Sequence, residues 1–163
     1  EETRGAIIGY TVEEFNQLTD WILEKVPLSY IAIASWGQNI YLNKVRAEGS
    51  NEGRLINEVV HEHLAGRVPL MATGGINSIG KSREAIVHAE MVGLSSVFVA
   101  EPDFVTKFQE NREEDITLSV GIGDIERLAI PKAAFKDIVL MMDYGKSLPE
   151  STRDEFRKLE ENY

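Results

Sequence analysis

Hydrophobic spacing along the chain first becomes regular at Thr11. Thr11 and Glu14 match a capping box, in which the hydroxyl accepts an early helix amide and the carboxylate reaches back to the cap. Phe15, Leu18, Ile22 and Leu23 then recur at helical spacing, which predicts a helix with one buried face that stops at Pro27. Residues 30–34, YIAIA, are an uninterrupted apolar run. Such a run suits a parallel strand covered on both faces, so it is read as a central strand. Leu55, Ile56, Val59, Val60 and Leu64 form a second helical stripe ending at Gly66, and residues 68–73, VPLMAT, form a second strand running into Gly74 and Gly75. A third helix over about 82–90 and a third strand over 91–94 follow, and Pro102 opens a short helix reaching Phe108.

Alternating helices and strands predict an α/β fold with right-handed crossovers and a parallel sheet, either doubly wound or rolled into a barrel. The polar stretch 37–53, with Gly37, Gly49 and Gly53, is long enough to be a functional loop. From residue 116 the pattern becomes a helical tail. Pro131 opens a helix carrying Phe135, Ile138, Val139 and Met142 and closed by Gly145, and Pro149 precedes a last charged helix with Phe156 and Leu159. The expected division is therefore 1–115 for the α/β part and 116–163 for the tail.

Composition narrows the partners. The 163 residues are 43% hydrophobic, enough for one packed domain, and 27 acidic against 17 basic side chains give a net charge of -10. That charge excludes a basic footprint, so neither nucleic acid nor an anionic membrane surface is an expected partner. Without cysteine there is no disulfide, thiolate metal site or cysteine nucleophile, and no apolar run approaches the ~18 residues of a membrane span. The expected location is cytoplasmic. The chain opens on Glu1 with no hydrophobic leader, which reads as a piece of something longer.

Residues 75–82, GINSIGKS, satisfy the nucleotide-binding P-loop template between a strand and a helix, with Lys81 and Ser82 at the phosphate and magnesium positions. Asp143 could imitate the acidic magnesium partner, although its helical spacing places it at a helix end. Another reading takes Gly74, Gly75 and Gly93 as strand-end glycines whose amides approach a phosphate, joined by Ser95 and Ser96, as in the phosphate sites of (β/α) barrels. A third makes these glycines simple tight corners. His61 and His63 are two apart on a helix and face different directions, which argues against a shared metal, and no metal site is expected. Glu13 and Glu14 suit a first helical turn, and Glu110, Glu113, Glu114 and Asp115 suit a solvated loop.

The stretch 68–104, VPLMATGGINSIGKSREAIVHAEMVGLSSVFVAEPDF, resembles the last two strand–helix units of the Old Yellow Enzyme family, in particular its bacterial NADH-dependent flavin oxidoreductase branch. GYTVEEF from Gly9, LSYIAIASWG from Leu28, and PKAAFKDIVLMMDYG and FRKLEENY near the end extend the likeness over nearly the whole chain. The resemblance implies the later half of a TIM (β/α)8 barrel, strands six to eight with a helical tail. It also implies FMN as cofactor, NAD(P)H as co-substrate and hydride transfer to a small-molecule acceptor such as an activated alkene. The residues it places at the FMN phosphate are Gly74, Gly75, Gly93, Ser95 and Ser96. Trp36, with Ser35 at the outer end of strand six, would flank the flavin or substrate.

No catalytic residue is assigned, because the family's catalytic groups lie on earlier strands. Ser95 and Ser96 stand where the family has a Gly-Arg pair, and a serine does not replace a bidentate cation. Lys81 or Arg83 could compensate from the following helix. A part-barrel exposes strand edges, so self-association into a homo-oligomer is expected, and the isolated chain is expected to be inactive. The P-loop and a non-catalytic half-barrel without flavin remain the alternatives.

Overall fold

A computed structural model describes residues 10–34, 39–146 and 148–162. The described chain is mixed α/β. Its one sheet has three strands, β1 (Ile31–Ile33), β2 (Leu70–Thr73) and β3 (Met91–Gly93), in the order β1-β2-β3 and all parallel. Ile31 pairs with Leu70, and Thr73 pairs with Gly93. All three strands therefore end on the same edge of the sheet, the edge from which α/β proteins build their sites. The chain divides into two compact units. One comprises residues up to 35 together with 39–73 and 83–93, and the other comprises 36–38, 74–82 and 94–163.

The first unit holds the sheet. Its helix α1 (Val12–Leu23) starts as expected: Thr11 Oγ1 accepts the Glu14 amide at 3.3 Å and Glu14 Oε2 accepts the Thr11 amide at 2.7 Å. The buried face differs from the expected one. Val12, Asn16 and Thr19 are buried, whereas Leu18, Trp21 and Ile22 are 49%, 54% and 39% exposed. Helix α2 (Ile56–Leu64) packs on α1 and buries Val59, Val60 and Leu64 as its stripe predicts. It closes on Ala65 and Gly66, both left-handed.

The central strand is β2, with Leu70 and Ala72 fully buried, and β1 lies at an edge of the described sheet with Ala32 exposed. The apolar run YIAIA thus carried strand propensity but not neighbour count. The long polar stretch is partly a structural clip. A short 3-10 turn (Ile40–Leu42) buries Tyr41, and Lys44 bridges antiparallel to Leu55. Val45 donates to Arg54 O and accepts from Gly53, and its side chain is buried.

The second unit contains the tail. Helix α3 (Ile79–Ala85) begins three residues before the expected start and straddles the boundary between the units. A short helix missing from the sequence reading, α4 (Val97–Ala100), follows β3, and α5 (Phe104–Gln109) begins two residues past Pro102. Ile79, Val97 and Phe104 form one small core. After α6 (Ile125–Leu128), α7 (Phe135–Gly145) and α8 (Glu150–Asn162) form the expected helical pair. Phe135, Val139, Met142, Phe156 and Leu159 are buried together with Ala100. The rings of Phe135 and Phe156 lie 5.7 Å apart. Thr152 fixes α8 by donating to the Leu118 carbonyl at 2.6 Å. Among the described residues, no helix is long and apolar enough to cross a membrane.

Candidate functional site

The site begins where β2 stops. Gly74 and Gly75 follow Thr73 directly and have φ of 106° and 76°, a region that costs any residue with a Cβ. Glycine is therefore required here for the turn itself, and the same absence of side chains leaves the backbone approachable. Ile76, 3% exposed, anchors the next step, and Ser78 then caps α3 by accepting the Lys81 amide at 3.2 Å. Because Lys81 lies in the first turn of this helix, its side chain can reach back. The ammonium lies 3.5 Å from the Gly75 carbonyl and is half-buried. The sequence left open whether this lysine faces the turn or solvent, and the helix start at Ile79 aims it at the turn.

Ser95 and Ser96 lie in the same unit, at the start of α4. Their carbonyls accept the amides of Phe98 and Val99 at 3.0 and 3.1 Å, which places the serines in the opening turn of that helix. Ser95 is exposed and Ser96 half-buried. The glycine turn thus carries one ammonium, and the two serines open a separate helix of the same unit.

Gly93 has a separate reason to be glycine. A Cβ built on it would lie 2.6 Å from Thr73 Cγ2 and 3.1 Å from Met71 Sδ. Thr73 is held in place because its hydroxyl donates to the Ile33 carbonyl at 2.7 Å, tying β2 to β1. Packing within the sheet therefore demands glycine at 93 whether or not its amide meets a ligand. Trp36 and Ser35 lie outside the described residues.

Two further groups of the P-loop reading, Ser82 and Asp143, have other partners. The Ser82 hydroxyl donates to the Ser78 carbonyl at 3.0 Å. Asp143, near the end of α7 as its spacing predicts, accepts Arg157 at 2.5 Å, and the Arg157 guanidinium holds its carboxyl below the usual range. His61 and His63 point to different partners, Glu90 at 2.8 Å and Asp20 at 2.9 Å. Among the described residues, no three His, Asp or Glu side chains gather where a metal could sit. Glu13 accepts from Asn51, and Arg112 bridges Glu110 and Asp115 at 2.6 and 2.8 Å, so part of the acidic loop is paired.

Sequence reasoning missed Glu101, which lies between α4 and α5 and is fully buried. One carboxylate oxygen accepts Lys107 Nζ at 2.5 Å and the Thr117 amide at 3.3 Å, while the other has no protein partner. Burial pushes this carboxyl up, but the Lys107 ammonium and the Thr117 amide outweigh burial and hold it below the ordinary range. Lys107 also donates to the Asp115 carbonyl at 2.9 Å, so this pair ties the loop after α5 to the start of the tail. An acid set between apolar Val99–Ala100 and Pro102 was the available signal.

No family model matches the chain. Among curated proteins, one named as an uncharacterized oxidoreductase from Streptococcus pyogenes serotype M5 (strain Manfredo) is 50% identical over 163 residues, all of this chain and 41% of the relative. A probable NADH-dependent flavin oxidoreductase from Bacillus subtilis (strain 168) is 26% identical over 132 residues, 80% of this chain and 34% of the relative. The chain therefore spans less than half the length of either relative, and both are named as oxidoreductases.

Proposed function

We propose that this chain is the phosphate-holding part of an FMN-dependent NAD(P)H oxidoreductase of Old Yellow Enzyme type, built on the later half of a (β/α)8 barrel with a helical tail. In that reading β1, β2 and β3 are strands six, seven and eight. The observation that carries it is the turn after β2, where two consecutive left-handed glycines stand beside the half-buried Lys81 ammonium. The oxidoreductase names of the two relatives support the reaction class.

Bound FMN would supply the redox chemistry, hydride taken from NAD(P)H and passed to a small-molecule acceptor. The chain's own residues would bind and orient it. Amides at Gly74 and Gly75 and the amides and hydroxyls of Ser95 and Ser96 would hold the phosphate, with the Gly93 amide at the neighbouring strand end and Trp36 beside the flavin or substrate. A phosphate monoester carries close to two negative charges, which amides alone neutralise poorly. Lys81 supplies the cation that Ser96 lacks, as a single point charge rather than a bidentate fork. No catalytic residue is placed in this chain. The whole protein would be cytoplasmic and homo-oligomeric.

A flavin titration tests this reading. FMN and riboflavin, which lacks the phosphate, are titrated against the chain and against its longer form. FMN is expected to bind more tightly than riboflavin, and Lys81→Ala should reduce the FMN preference about tenfold, the scale of one charge-assisted contact. Equal affinity for both flavins would overturn the phosphate assignment. Absence of binding by either form would support the non-catalytic half-barrel, which the serine at position 96 favours.

A further inference from the structure

A cavity of about 230 Å³ opens on the first unit, which supplies all of its walls. Three local features build it: the 3-10 turn 40–42, the start of α2, and the end of α3 with the 3-10 turn that follows it (Ile86–His88). Leu42, Leu55, Ala85 and Val87 make most of the lining apolar. Set into that lining are a few polar groups whose hydrogen bonds fix what they can offer.

Tyr41 is 4% exposed, and its hydroxyl donates to Glu84 Oε2 at 2.7 Å. Burial and the Glu84 carboxylate push that hydroxyl up from its ordinary value, so the proton stays on the tyrosine. The bond uses one carboxylate oxygen, and among the described residues nothing pairs with the other. Helix electrostatics do not explain an acid at this position, because Glu84 lies in the last turn of α3, the end that favours cations. Asn57, 5% exposed, donates its side-chain nitrogen to the Tyr41 carbonyl at 3.4 Å, which orients the amide and leaves Oδ1 as an acceptor. His88 completes the polar lining.

The cavity therefore presents acceptors and one negative charge beside an apolar wall. An anion entering it would meet Glu84 with no cation to offset the repulsion. A wholly apolar occupant would strip water from a carboxylate oxygen without replacing the lost hydrogen bond. A positively charged donor on a small apolar body satisfies both parts of the lining, and the volume, below the ~300 Å³ at which drug-sized sites begin, keeps that body small.

We infer that this cavity binds a small organic cation, an amine or amidine on an apolar body no larger than about one ring, with its charged N–H groups on Glu84 and its body against Leu42, Leu55, Ala85 and Val87. The inference goes beyond the flavin reading and does not rest on it. The Tyr41–Glu84 bond holds the free carboxylate oxygen in place, and Tyr41 is in turn held by Asn57.

The test titrates benzylamine, its uncharged counterpart benzyl alcohol and the anion benzoate against the full chain without flavin. Binding is read from the amide NMR shifts of Ala85 and Val87. At pH 8 an ordinary imidazole is neutral and does not compete with the cation. Benzylamine is expected to bind at least about tenfold more tightly than benzyl alcohol, the scale of one charge-assisted contact, and benzoate is expected to cause no shift. Glu84→Gln keeps the shape and an acceptor but removes the charge, so it should bring the amine and the alcohol to near parity. Should that variant misfold, Val87→Arg changes a position that is 65% exposed, and its tethered guanidinium should exclude benzylamine from Glu84. Equal affinity for the amine and the alcohol, binding of benzoate, no binding of any probe, or amine binding indifferent to these variants would overturn the inference. If benzylamine binds as expected but FMN and riboflavin bind equally, only the flavin reading fails. If FMN is preferred but benzylamine does not bind, only this inference fails.

Discussion

Replacing Gly93 by alanine tests whether sheet packing dictates that glycine. The new methyl would sit 2.6 Å from Thr73 Cγ2, against the 3.5–4.0 Å or so of a comfortable carbon contact. Thr73 cannot swing away cheaply, since rotation would break its hydroxyl bond to Ile33 O. Overpacking of this kind costs about 1–3 kcal/mol. Thr73→Ser removes the clashing methyl and keeps the hydroxyl, so alone it should cost about 1 kcal/mol or less, one lost methyl. The double variant should recover most of the alanine penalty, with a coupling of about 1–2 kcal/mol. Urea unfolding of the four proteins, followed by circular dichroism and tryptophan fluorescence, gives the cycle directly. If the penalties simply add, or if Gly93→Ala is neutral, the steric account is wrong and the glycine must be sought in ligand binding instead.

Other expectations follow from named contacts. Lys107→Met leaves the buried Glu101 carboxylate without its cation and should destabilise the second unit by about 3–5 kcal/mol, measured by thermal unfolding. The folded Glu101 carboxyl sits below its unfolded value, so its contribution is complete above the usual carboxyl range near pH 4.5 and is lost as pH falls through the folded value. The stability difference between the wild type and Glu101→Gln should therefore shrink on acidification, and a pH-independent difference would contradict the assignment. Thr152→Val, nearly isosteric, strands the Leu118 carbonyl and should cost about 1–2 kcal/mol, with faster hydrogen exchange in α8. Thr11→Ala should remove about 1 kcal/mol by breaking the capping box, seen as faster exchange at the Glu14 amide.

Local rules were enough for much of this protein. The Thr11–Glu14 box, the α2 stripe, the glycine pair after β2 and the helix closed at Gly145 are all legible because each depends on residues within one or two turns of one another. The α/β alternation follows from the same short-range periodicity. Which strand is central, which face of α1 is covered and where Lys81 points were not legible. Those depend on neighbours tens of residues away: β2 is central in the described sheet because β1 and β3 both pair with it, and YIAIA reads alike at an edge or in the middle. Glu101 shows the same division in one side chain. Its identity and its apolar flanks are in the sequence, but that it is buried and matched by Lys107 and the Thr117 amide was decided only when the chain after α5 folded back over it, because an electrostatic partner is fixed by distance in space and not by distance along the chain.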